Sequence, residues 1–237
     1  MRSVQLRWAA AVTLCSVMAA AAMAEDVAAV QKQIGEKYKA LKSFRAKMTQ
    51  KTEMGTPQFK MQSHSTGTYE CVNKSANVAM YRMETQGKNT NEMAGQKTEN
   101  KVDSLTIGDG TYVYNLNDMD GQKSATKMKQ PQTGPVEFDV EMFKDWDLKL
   151  LPEEKIDGAA CWVIEMTPKA GTPQASAGGK TVNWFRQDCG WPAKTISYNA
   201  EGQAVTTLEY KDMEIDPKID ESRFVFKAPP GVQVTEM

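Results

Sequence analysis

The chain has 237 residues, with 29 Lys and Arg against 30 Asp and Glu, four Cys and a single His. A formal net charge of −1 provides no basic surface for a nucleic-acid backbone, and no apolar run reaches the roughly 18 residues of a membrane-spanning helix. One imidazole and no CxxC spacing exclude the common zinc and dithiol redox sites.

Residues 1–24 have the features of a cleaved secretory signal peptide. Two arginines precede an apolar stretch, Trp8–Ala22, and the small-residue cleavage site Ala22-Met23-Ala24. About fifteen apolar residues are too few for a membrane anchor, and Leu14 stands where a lipoprotein signal has a small residue before its Cys. We therefore predict an exported, mildly acidic chain, periplasmic or secreted, with one domain over residues 25–237.

A helix and then a run of strands are predicted in chain order. Apolar residues recur every three or four positions from Glu25 to Ser43, which is typical of an amphipathic helix, and from Phe44 the period changes to two. Turn residues, including Asp109-Gly110, separate ten further strands. These strands are predicted at Gln58–Val72, Asn77–Thr85, Val102–Ile107, Thr111–Leu116, Leu148–Ile156, Ala160–Thr167, Thr181–Gln187, Ala193–Tyr198, Ala204–Ile215 and Arg223–Phe226. The fold class is mainly β, an open antiparallel barrel.

The strand pattern is interrupted between Gln130 and Asp147. Pro131 and Pro135 break it, and apolar residues then follow helical spacing at Val140, Phe143 and Trp146. A short helix is predicted here. It is either a plain connection that caps the barrel end or a lid over a cavity.

The hairpin around residues 170–179 allows a prediction of strand register. If its centre is Ala175, Cys161 lies opposite Cys189 at a separation that permits a disulfide, and the alternative is three free buried thiols. In this register an apolar face carries Trp162, Ile164 and Met166 together with Val182, Trp184 and Arg186.

No catalytic constellation is recognisable. His64 lies on a predicted strand between Ser63 and Ser65, which point to the opposite face and cannot pair with it there. We predict a protein that is not an enzyme and uses no metal or cofactor. The abundant methionines of the strands are suited to an irregular apolar cavity, and a wide open barrel has room for an acyl chain.

Four segments in order resemble the LolA-like periplasmic lipoprotein carriers. They are Leu41–Lys51, where a helix leads into a strand with Thr-Gln, Gly67-Thr68-Tyr69, the Asp-Gly hairpin in Ile107–Asn115, and the Phe-x-Phe and Pro-x-Gly-Val ending in Ile219–Val234. The resemblance implies an open barrel covered by a helical lid at Pro135–Trp146, with an apolar cavity for lipoprotein acyl chains. The family's Arg before the third strand has no counterpart near Lys74-Ser75.

The predicted function is an acyl-chain carrier that shuttles lipoproteins or lipids between membranes. The alternative is an envelope-stress regulator of the same fold that binds a protein partner. The resemblance implies a monomer with an inner-membrane exporter, an outer-membrane acceptor and peripheral membrane contact only. The predicted cavity residues are Phe44, Met48, Met61, Met80, Tyr112, Tyr114, Trp162, Ile164, Met166, Trp184 and Tyr210, and those of the lid are Val140, Phe143 and Trp146.

Overall fold

The computed structural model describes residues 27–56, 58–75, 78–130, 143–172, 175 and 179–237. These form one α-helix, α1 (residues 27–40), a short 3₁₀ helix and a series of strands. The strands are β1 Ser43–Thr56, β2 Phe59–Ser75, β3 Val78–Met93, β4 Gln96–Gly108, β5 Tyr112–Met119, β6 Gln122–Lys129, β7 Trp146–Ile156, β8 Ala159–Pro168, β9 Thr181–Arg186, β10 Pro192–Tyr198, β11 Ala204–Ile215 and β12 Val234–Glu236. The predicted signal peptide lies outside the described residues.

All twelve strands belong to one sheet, in the order β12-β6-β5-β4-β3-β2-β1-β11-β10-β9-β8-β7. Neighbouring strands are antiparallel, except that β12 lies parallel to β6. The sheet is open, because β7 and β12 form its two edges without pairing to each other. The prediction of a mainly β fold with an open antiparallel sheet and an N-terminal helix is confirmed.

The helix forms because large apolar side chains repeat at helical spacing. Those of Val27, Val30, Ile34 and Tyr38 are buried in the structure, as is Leu41 just after the helix. It packs on one side of the sheet, which we call the helix face. The strand ladders place Phe44, Tyr69 and Tyr81 on this face in adjacent strands. Among the described residues no helix combines the length and the apolar character needed to cross a bilayer.

The opposite face carries its own apolar cover over strands β2 to β5. The segment after β11 folds across it, so that Ile219 and Phe224 pack on Met80 and Ile107. Phe226 stacks on Tyr114, with ring centroids 4.9 Å apart. This segment covers part of the opposite face.

The predicted closing strand Arg223–Phe226 is wrong. Residues Glu221–Phe224 form a 3₁₀ helix, whose start is capped by Asp220 accepting a hydrogen bond from the backbone N–H of Ser222 at 2.9 Å. The Phe-x-Phe alternation suggested a strand, but Phe224 is buried against the sheet and Phe226 stacks on a tyrosine side chain. Both phenylalanines are therefore anchors of a covering segment.

A buried carboxylate fastens this covering segment to the sheet. The side chain of Glu70 is 5% exposed and accepts hydrogen bonds from Nε of Arg45 at 2.9 Å and from Nε of Arg223 at 2.5 Å. Burial, the largest single influence, acts to raise the pKa of Glu70, but the hydrogen bonds and charges of the two arginines outweigh it. The pKa of Glu70 therefore lies below its ordinary value.

We expect Glu70→Gln to lower the free energy of unfolding by about 2 kcal/mol at pH 7, since charged hydrogen bonds to a buried group are lost. A carboxylate with a depressed pKa stabilises the fold above its unfolded-state pKa, and this contribution is lost as the pH falls through the folded-state value. Urea unfolding at pH 7 and below about pH 4 should show that the free energies of unfolding of the unmodified protein and of Glu70→Gln converge in acid. The matched variant Glu84→Gln, at an exposed ion pair with Arg82, should change stability by less than about 1 kcal/mol at either pH.

Candidate functional site

The candidate site is the apolar layer between α1 and the helix face of the sheet. Near the start of α1, Val30 and Ile34 pack on Trp162, Ile164 and other apolar side chains of the β8–β9 region. Near its end, Tyr38 and Leu41 pack on a second cluster that contains Phe44, Met48, Trp191 and Tyr210. The helix thus covers two apolar clusters of aromatic, aliphatic and methionine side chains, which together make up the layer.

Aromatic rings form the centre of this layer. The ring of Phe44 lies 4.1 Å from that of Trp191 and 5.1 Å from that of Tyr69, measured between centroids. Tyr69 also stacks parallel to Tyr81 at 6.3 Å and meets Tyr210 edge-on at 6.2 Å. Contacts of this kind hold the rings in fixed mutual orientations beyond what area burial alone provides.

The titratable groups in the layer are neutral at physiological pH. Burial raises the pKa of Tyr210 and of the Cys71 thiol to about 12, and it raises the pKa of Tyr69 well above its ordinary value. Because these groups carry no charge, they offer no acid, base or nucleophile poised for neutral pH. The layer is suited to an apolar ligand.

The layer has a partly exposed margin on one side. Tyr81 and Met83 of β3 and Leu208 of β11 pack against the buried cluster but are only half-buried themselves. Beyond them the helix face becomes polar, as Gln50 and Ser65 continue β1 and β2. An apolar chain entering the layer would meet these three half-buried side chains first.

The predicted cavity residues divide between the two faces of the sheet. Most lie on the helix face, and six of these are buried beneath α1 or beside it: Phe44, Met48, Trp162, Ile164, Met166 and Tyr210. Met61 is on the same face, at the far end of the β1–β2 hairpin. The other four belong to the opposite face, so their assignment to the same cavity is wrong: Met80, Tyr112, Tyr114 and Trp184.

The prediction placed Trp184 on the wrong face because the predicted register of the β8–β9 hairpin differs from the observed one by three residues. Val163 pairs with Trp184, whereas the assumed centre at Ala175 would have paired it with Gln187. An odd shift exchanges the two faces of a strand. The indole therefore lies on the opposite face, where its Nε1 donates to a carboxylate oxygen of Glu154 at 3.0 Å.

The same shift removes the predicted disulfide. Cys161 pairs with Arg186 in the ladder, and Cys189 lies beyond the end of β9, in the turn before β10. Cys71, Cys161 and Cys189 are all buried free thiols. The alternative of three free thiols is the arrangement in the structure.

Two of the three predicted lid residues can be located. Phe143 is buried among Val30, Ile34 and Trp162, so it does cover the apolar layer next to α1. Trp146 is the first residue of β7, and its assignment to a lid helix is wrong. Val140 lies outside the described residues.

Trp191 is not among the predicted cavity residues, yet it lies at the middle of the aromatic centre. Its ring meets those of Tyr38, Phe44, Tyr69 and Tyr210. Trp191 lies in the turn between β9 and β10, just after Gly190. It stacks on Tyr38 at 5.6 Å and meets Tyr210 edge-on at 6.0 Å. The only available signal was a tryptophan in a turn, a position where so large an apolar side chain needs a partner surface.

Open grooves in the described part of the chain also lie outside the layer, and two of them are notable. One, of about 500 Å³, is on the opposite face; it has Leu105 and Leu116 in its floor and the carboxylates of Glu84, Asp103 and Asp118 around it. The other, of about 590 Å³, lies between the β1–β2 hairpin and the start of β11. No group of three His, Cys, Asp or Glu residues in the described part of the chain could hold a metal ion.

Comparison with known proteins gives a likeness of fold. A family model described only as an uncharacterized protein matches residues 137–227, and no curated protein matches the chain. The crystal structure of MucB matches with a TM-score of 0.51 at 15% identity, over 89% of this chain and 66% of that one. An uncharacterized conserved protein from Thermus thermophilus matches with a TM-score of 0.51 at 10% identity, over 90% of this chain and 99% of that one.

A LolA superfamily protein from Nitrosomonas europaea is also similar, with a TM-score of 0.26 at 15% identity, over 82% of this chain and 97% of that one. This chain spans just under two thirds of the MucB chain that it matches. The single open sheet with an N-terminal helix agrees with the prediction, and the MucB structure shares this fold.

Proposed function

We propose that this protein is a non-catalytic carrier of the cell envelope that holds acyl chains of a lipoprotein or lipid between α1 and the helix face of the sheet. The observation that carries the proposal is the pair of apolar clusters that α1 covers on the helix face of the sheet. One cluster contains Trp162 and Ile164. The other contains Phe44 and Met48, and the half-buried Met83 packs against it. Methionine and aromatic side chains adapt readily to a flexible hydrocarbon.

Uptake would require α1 and the neighbouring Phe143 to move away from the layer. An acyl chain would then replace the apolar side of the helix, and each buried methylene would contribute about 0.8 kcal/mol. About fifteen methylenes would contribute roughly 12 kcal/mol before the cost of undocking α1 is subtracted. The signal peptide predicted at residues 1–24 supports a periplasmic location for this activity.

We expect 11-(dansylamino)undecanoic acid to bind with a rise in dansyl fluorescence, and Met83→Glu to weaken binding at least roughly tenfold, since a carboxylate would then lie at the margin of the layer. Fluorescence titration gives the dissociation constants. The matched control is Leu105→Glu, which places the same charge at a half-buried position on the opposite face. Equal weakening by both variants, or no binding by the unmodified protein, would contradict the proposal.

A second candidate function is the binding of a protein partner, as in the regulatory relatives of the fold. The groove between the β1–β2 hairpin and β11 favours it, because strand edges lie open there. The two candidates use different surfaces, so each can be tested without the other.

A further inference from the structure

The strands β1 and β11 separate before they end. They pair regularly from Lys47 opposite Lys211 to Thr52 opposite Thr206. Continuing this register would pair Glu53 with Val205 and Met54 with Ala204, but the ladder between the two strands stops at Thr52. The 590 Å³ groove lies in the resulting fork.

The fork leaves backbone hydrogen-bonding groups open on β1. Glu53–Thr56 remain paired with β2 on one side, and all four residues are exposed. Since a strand directs the N–H and C=O groups of successive residues to alternate sides, half of these groups point away from β2. No strand in the described part of the chain pairs with β1 on that side beyond Thr52.

Apolar side chains line the same groove. Met54 is 46% exposed, and Met61, Ala204 and Val205 complete the apolar part of its lining. Charges of both signs flank it, since Glu53 and Lys60 lie on the other face of the hairpin. An open strand edge beside exposed apolar side chains is a recognised template for the addition of another strand.

We propose that this fork binds an extended peptide segment of a partner protein, which adds as a strand to the open edge of β1. The open backbone N–H and C=O groups favour a peptide over an acyl chain as the ligand of this groove. An acyl chain in the groove would cover the open N–H and C=O groups without pairing them, at a cost for each, whereas a peptide backbone pairs them. Alternate apolar residues of the peptide would contact Met54 and Met61, and one charge of each sign on its other face would match Glu53 and Lys60. The inference deepens the second candidate function by naming its partner class.

The probe is the synthetic peptide Gln-Ala-Val-Thr-Thr-Leu-Glu-Tyr-Lys, which copies residues 203–211 and thus carries a sequence that β1 already accepts as a neighbour. Titration into ¹⁵N-labelled protein should shift the backbone amide signals of residues 53–56 and 204–205. Met54→Glu should weaken binding at least roughly tenfold, and Met93→Glu, at an exposed methionine of another hairpin, should leave it unchanged.

A peptide that is N-methylated along the edge facing β1 provides the decisive control. This peptide keeps its side chains but lacks the backbone N–H donors on that edge. If the peptide binds by strand addition, methylation should abolish its binding. Equal binding of the methylated peptides, or shifts confined to other residues, would overturn the proposal. If dodecanoic acid instead shifts the same amides and displaces the peptide, the groove is an acyl-chain site. Dansyl probe binding at the layer beneath α1 is measured separately, so failure of either proposal is distinguishable from failure of the other.

Discussion

Phe44→Ala should lower the free energy of unfolding by about 3–5 kcal/mol, the range for removing a buried phenylalanine ring from a core. Phe44 is 1% exposed and lies between the rings of Tyr69 and Trp191. Its loss would leave a cavity beneath α1 that these rings cannot fill without giving up their stacking contacts. Urea unfolding followed by tryptophan fluorescence and by far-UV circular dichroism measures the change.

The chain provides a matched control in Phe59. This side chain, in the first position of β2, is 37% exposed, so Phe59→Ala should cost less than about 1 kcal/mol. Phe44→Leu should fall between the two variants, since it retains most of the apolar volume. Similar losses for Phe44→Ala and Phe59→Ala would show that the layer beneath α1 is not the main core of the sheet.

Gly190→Ala should destabilise the protein by about 2–5 kcal/mol and loosen α1. Gly190 lies in the turn before β10 with φ at +72°, a conformation that costs an alanine about 1–2 kcal/mol. A Cβ there would also lie 2.5 Å from the carbonyl oxygen of Ile34 and 3.0 Å from the backbone nitrogen of Tyr38. The helix must shift outward to accommodate a methyl group, which adds about 1–3 kcal/mol.

Gly95→Ala separates the conformational cost of a positive φ from the steric cost of the added Cβ. Its φ is +79°, and a Cβ at this position meets nothing within 4 Å. Gly95→Ala should therefore cost only the conformational part, about 1–2 kcal/mol. Hydrogen exchange by mass spectrometry should show faster exchange across residues 27–40 in Gly190→Ala than in Gly95→Ala. Identical exchange and identical stability would mean that the turn at Gly190 does not hold α1 in place.

Local patterns in the sequence were sufficient to predict the helix, the first strand and the mainly β class. Each apolar position at helical spacing, from Val27 to Leu41, is buried, because one side of α1 rests on the sheet. The alternation from Phe44 to Met48 likewise predicted which side of β1 faces the helix. The order of short motifs along the chain resembled that of the LolA-like carriers, and the open sheet with an N-terminal helix that this resemblance implied is confirmed.

Polar strands were the weakest part of the prediction. β6, Gln122–Lys129, and the outer half of β4, from Gln96 to Lys101, were not predicted. Their side chains are mostly Thr, Lys, Gln and Asn, so neither alternation nor apolar content distinguishes them from loops. They are strands because their neighbours in the sheet supply backbone partners, which no local pattern records.

The sequence by itself determined the periodic elements, their order and the apolar character of the layer that we propose as the site. Only the tertiary structure decided which residues share a face. The predicted register of the β8–β9 hairpin differs from the observed one by three residues, and a strand has a period of two. The prediction therefore placed Trp184 on the wrong face and Cys161 opposite Cys189, whereas Cys161 lies opposite Arg186 in the structure. Long-range packing likewise placed Trp191 at the centre of the layer, since a turn residue acquires its partners only when α1 and β1 come together around it.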